Sequence, residues 1–232
     1  MKKVKITLLY LSLAGLLIAA AGFGTFAWFT SKTTAEGEMQ TGTLELNQGE
    51  DIETSIFDGD KFSPSQLEYG NWLTVSNSGD LDMYLKATYG QSVDKASLEE
   101  YEVGYIAMKY TVKPGQDDQE QAEIELENLF DGVTNERPQS TNFSDGVEVA
   151  GGMLTGDGKT TIQDNSDSNE MIIGEGEDED SFWRLDEGQY IDIMFGLKLG
   201  EDAGNEYQGA TYNATFTVDG KQIDNGAEYA ED

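Results

Sequence analysis

Neither cysteine nor histidine occurs among the 232 residues, and proline occurs only three times. Without cysteine no disulfide can staple the fold, and no thiolate can act as nucleophile or metal ligand. Without histidine the common zinc ligand and the usual general base are both missing. Most hydrolytic mechanisms are therefore disfavoured before any motif is read. Basic residues are scarce as well: 14 Lys and Arg stand against 45 Asp and Glu, a formal net charge of −31. Neutralising phosphates needs clustered basic side chains, so a nucleic-acid binder working through a basic face is excluded. The sequence also lacks a Gly-x-Ser-x-Gly elbow and a glycine-rich phosphate loop following a strand.

What is present is an exported, turn-rich chain. Lys2, Lys3 and Lys5 precede the apolar stretch Leu8 to Ala21, and Gly22 to Ala27 are mostly small. This is the charged, apolar and small-residue order of a secretory signal peptide, with a cut between Ala27 and Trp28 that puts Thr25 at −3 and Ala27 at −1. The competing reading is an uncleaved anchor, since Ile6 to Phe29 carries no charge and is long enough to span a bilayer. After cleavage, 11 basic and 45 acidic residues remain, for a net charge of −34. Self-repulsion of that size predicts that stability and assembly rise with salt.

Strict alternation dominates the mature chain. Leu81 to Tyr89, Tyr190 to Leu199 and Ala210 to Val218 each place apolar or aromatic residues at every second position. Shorter alternation occurs at Thr43 to Leu46, and Val103 to Val112 sets Ile106, Met108, Tyr110 and Val112 on one side. Period two predicts strands with one buried and one wet face. Turns rich in Gly, Asn and Asp separate them, and the only helical spacing is at Glu123 to Phe130. The expected fold is all-β, an antiparallel jelly-roll-like β-sandwich with a minor helix. Residues 135–181 are dominated by Asn, Asp, Ser, Gly and Glu and read as a long acidic loop, and residues 226–232 read as a flexible tail.

Few residues suggest chemistry. Asp164, Asp167 and Glu170, or Asp178 and Asp180, could offer calcium oxygen ligands, but their spacing does not match the EF-hand loop. A solvated acidic surface is the simpler reading. Trp72 and Trp183 read as core or sheet-edge aromatics. No catalytic pair, metal site or cofactor site stands out.

Several motifs, taken in order, resemble the TasA/camelysin family of secreted biofilm-matrix proteins. Gly24-Thr25-Phe26-Ala27-Trp28-Phe29 resembles that family's signal junction, and Gly42-Thr43-Leu44-Glu45-Leu46 its first strand. Asn77 to Leu81 with Leu85 to Tyr89 resembles its turn and strand, and Tyr207-Gln208-Gly209 before Tyr212 to Phe216 its last core strand. The resemblance covers most of the chain outside about 135–181. It implies a jelly-roll domain over residues 42–225, export, trimming by a dedicated signal peptidase, and assembly into extracellular fibres. The mature amino-terminal segment, residues 28–41, would complete a sheet in the next subunit, with Trp28, Phe29, Thr30, Ser31, Lys32, Thr33, Thr34 and Ala35 as the donor. The implied partners are copies of the same chain, the signal peptidase, and a minor fibre or anchoring protein. Contact with the membrane is expected only through the uncleaved precursor. The camelysin name carries a metallopeptidase label, but no His-Glu-x-x-His helix can exist in a chain without histidine. The alternatives to a fibre subunit are that peptidase and a calcium-dependent surface adhesin.

Overall fold

The longest alternating stretches of the sequence organise the structure, a computed structural model that describes residues 43–58, 63–130, 142–154 and 168–223. In chain order the strands are β1 (Leu67–Tyr69), β2 (Leu73–Ser76), β3 (Met83–Val93) and β4 (Tyr101–Tyr110). The helix α1 (Gln116–Phe130) follows, then β5 (Glu148–Met153), β6 (Ser168–Glu175), β7 (Arg184–Leu185), β8 (Tyr190–Leu199) and β9 (Tyr212–Gln222).

Two antiparallel sheets result. In the first, β8 lies between β4 and the short strands β1 and β2, and β4 pairs in turn with β5. In the second, β3 is central, with β9 along one side and β6 and β7 along the other. The inward residues of both sheets share one core that includes Leu85, Tyr89, Val103, Ile193, Phe195 and Leu197. Tyr89 of β3 meets Phe195 of β8 across the interface, ring centroids 4.7 Å apart. The described residues all belong to the compact unit Gly42–Asp232, and every pairing among them lies within it.

Two expectations about faces need correction. Alternation in the Val103 stretch and in Tyr190 to Leu199 predicted one wet side each, yet β4 and β8 are both buried on both sides, Asp192 included at 2% exposed. The cause is α1, which packs Ala122, Leu126, Leu129 and Phe130 onto Ile106, Met108 and Met194 on the outer face of the first sheet. The helix begins seven residues before Glu123, because its first turns are polar and reveal no apolar stripe until Ala122. Asp118, in its first turn, accepts the Ser144 amide at 2.8 Å and fastens the 142–147 segment over the helix. Within 135–181 the chain forms two strands rather than one loop: β5 and β6 are recruited by the edges of β4 and β3. The stretch joining them, residues 155–167, lies outside the described residues, as does the tail 226–232.

Candidate functional site

The edges of the two sheets are treated differently, and this difference is the most function-bearing feature of the described residues. β9 pairs with β3 along its whole length, from Met83↔Gln222 to Val93↔Tyr212. Among the described residues no strand pairs with its other side. Its inward residues Tyr212, Ala214, Phe216 and Val218 are only half-buried, whereas their β3 neighbours Leu85, Ala87 and Tyr89 are 0% exposed. The core is thus incompletely covered on this side.

A groove of about 520 Å3 runs between residues 212–216 and the irregular segment 52–57, with Leu73 among its lining residues. Phe57 approaches Tyr212 edge-on at 6.5 Å, and Phe216 meets Phe195 at 5.4 Å. The 52–57 segment is held away from β9 by β1–β2: Asn71 donates its amide to Ile56 O at 2.8 Å and its side chain to Ser55 O and Asp58. At one end of the groove the Tyr212 hydroxyl donates to Gln91 Oε1 at 2.6 Å, which leaves Tyr89, 3.0 Å away, as donor to Tyr212. Burial pushes both phenols well above their ordinary pKa, so this chain stays neutral through physiological pH. The site offers an unpaired strand edge, aromatic faces and hydroxyls, which suits an extended peptide.

The edge of β2 is closed instead. Asn47 Oδ1 accepts the Ser76 amide at 2.7 Å and the Ser76 hydroxyl at 3.0 Å, and its Nδ2 donates to Thr74 O at 3.2 Å. One side-chain amide thereby stands in for a neighbouring strand's peptide group. Placing it there requires an unusual backbone: Asn47, Gln48 and Gly49 are consecutive left-handed residues, at φ 48°, 59° and 75°.

The expected donor residues, Ala27 at the cleavage site and Trp28 to Ala35, lie outside the described residues, as do Asp164 and Asp167. Glu170 is on the outer face of β6, remote in register from Asp178 and Asp180, which are exposed in the turn after it. Among the described residues no group of three or more acidic side chains is placed to hold a metal ion. Both tryptophans pack as expected: Trp183 is core and lies against Gly174, and Trp72 is partly buried against the apolar cluster under α1. Sequence reading did not single out Gln91, Asn47 or Phe57. No protein-family model matches the chain, and neither a curated protein nor a solved structure matches it.

Proposed function

We propose that this protein is a secreted structural subunit that polymerises by donor-strand complementation, an extended amino-terminal segment of one copy lying along β9 of the next. The supporting observation is the half-covered β9 edge with its groove, set beside a β2 edge that is already capped. An eight-residue donor from Trp28 to Ala35 reaches about 26 Å, more than the roughly 17 Å of residues 212–216. Alternation turns Phe29, Ser31, Thr33 and Ala35 to one face, so Phe29 enters among Phe57, Tyr212 and Phe216 while Lys32 faces an acidic neighbour. Burying one Phe contributes roughly 1.5–3 kcal/mol, and the strand hydrogen bonds set register. The domain is a jelly-roll sandwich whose missing strand a second copy supplies, and the assembled product is a matrix or cell-surface fibre.

Electron microscopy of the chain lacking residues 1–27 tests this reading, with the chain lacking residues 1–35 as its counterpart. The first should form fibres at moderate salt and the second should stay folded and form none, with Phe29→Asp intermediate. Fibres of unchanged subunit spacing from the shorter chain would place the contacts elsewhere.

A further inference from the structure

The outer face of the second sheet differs from the rest of the molecule in charge. Its outward strand positions carry Lys86, Arg184 and Lys221 against Glu170, Glu175 and Asp219, three of each sign, on a chain whose net charge is −31. At one corner Arg184 is already held by Asp82 at 3.2 Å and by Asp186 at 2.8 Å. The centre carries fewer charges. Thr88, Ser92, Asn213, Thr215 and Thr217 surround Gly90, with Glu170 the one charge beside them. Gly90 itself leaves a shallow dimple of about 220 Å3, because a Cβ there would lie 2.4 Å from Thr215 Oγ1. The helix that covers the first sheet has no counterpart here among the described residues.

We propose that this neutral face is a self-association surface, on which a second copy of the chain packs sheet to sheet. Charge favours this occupant. Two molecules that each carry about thirty excess negative charges repel over most of their surfaces, and depletion of charge is what marks the centre of an interface. Only where the surface is neutral can two copies approach without that penalty. A polysaccharide is the less suitable occupant, since Tyr84 is the single aromatic among the described outward positions, and stacking platforms are otherwise missing. Three strands at about 4.8 Å spacing and about 33 Å length offer roughly 480 Å2 per copy. The resulting total, about 950 Å2, falls near the lower limit of about 1,000 Å2 for a specific interface. A single pair is therefore weak, while a row of identical faces along a fibre would multiply into firm lateral contact. The contact uses a face rather than an edge, so it differs from the donor joint in geometry, with Asn213 and Thr215 bordering both.

The test uses Gly42–Asp232, which contains every described pairing and lacks Trp28 to Ala35, so its outcome does not depend on the donor reading. Sedimentation in 0.15 M salt should show concentration-dependent dimers between about 0.1 and 1 mM, weakening at 0.01 M salt, where the Debye length grows to about 30 Å. Thr217→Glu and the isosteric Asn213→Asp should each weaken the dimer roughly five- to tenfold by setting like charges against each other. Thr111→Glu, an exposed position just beyond β4 in the other sheet, should change it less than twofold. A protein monomeric at 1 mM overturns the proposal, as does equal weakening by Thr111→Glu. Retention on a neutral polysaccharide that Thr217→Glu abolishes, without self-association, overturns it in favour of a glycan-binding face.

Discussion

Replacing Asn47 by alanine isolates what a side-chain amide does at a sheet edge. Asn47 makes three hydrogen bonds to β2, at 2.7, 3.0 and 3.2 Å. A net contribution near 0.5–1.5 kcal/mol each, reduced because water can reach part of this edge, gives about 2 kcal/mol. Alanine at φ 48° adds about 1 kcal/mol, since its Cβ disfavours the left-handed region that Asn tolerates. Asn47→Ala should therefore cost about 3 kcal/mol, or a fall in Tm of roughly 6–12 °C for a domain of this size. Asn47→Asp keeps both acceptor bonds to Ser76 but turns a carboxylate oxygen toward Thr74 O in place of the donor, so it should cost about 1–2 kcal/mol. Urea unfolding gives the two energies, and amide exchange at Ser76 should accelerate in the alanine variant but not in the aspartate one. An alanine cost below about 0.5 kcal/mol, or equal costs for the two, would refute the view that this amide replaces a strand. The alanine variant should also aggregate more readily, because a bared strand edge recruits other edges.

Three further outcomes follow from particular contacts. Gly174→Ala would set a methyl 1.6 Å from Trp183 Nε1, so it should destabilise the fold by at least about 3 kcal/mol in urea titration. Lys109 is 7% exposed and pairs with Glu148 at 2.9 Å, so Glu148→Ala, which leaves a buried ammonium with only Ser181 O and the Phe182 ring, should cost more than Lys109→Met, which leaves a largely exposed carboxylate; equilibrium unfolding of both variants reads the order. Hydrogen bonds from Ser55 and Asn71 hold the Asp58 carboxyl below its ordinary pKa, so they favour the fold above the unfolded-state pKa and lose that effect as the pH falls through the depressed value. Asn71→Ala should move the NMR titration midpoint of Asp58 upward.

Where apolar residues alternated without interruption, the sequence was legible: Tyr190 to Leu199 is β8 to the residue. The ends of β3 and β9 were not, for reasons the contacts explain. Gln91 occupies an inward position that reads as a break, yet it is satisfied there by the Tyr212 hydroxyl. Asp219-Gly220 reads as a turn, but the strand continues through it in register with Lys86 and Leu85 of β3, and Met83 and Leu46 crowd the place of a Cβ at Gly220. β1 and β7 are too short to carry a period. β5, with Gly151 and Gly152 in its interior and Val149 its one β-branched residue, depends on its partner β4. The groove was invisible because it joins residues 52–57 to residues 212–216, a juxtaposition made by the closure of two sheets rather than by any local pattern.

β9 is locked to β3 over eleven residues, so a donor joint on its free side would be pulled against a rigid strand. Tension transmitted by a donor lying along β9 would act parallel to the strands, across hydrogen bonds that are perpendicular to them. Every rung of the ladder would then be loaded at once, instead of opening one after another from an end. A filament built in this way would be stiff and would fail abruptly, and its breaking force would depend on the number of rungs more than on the energy of any one.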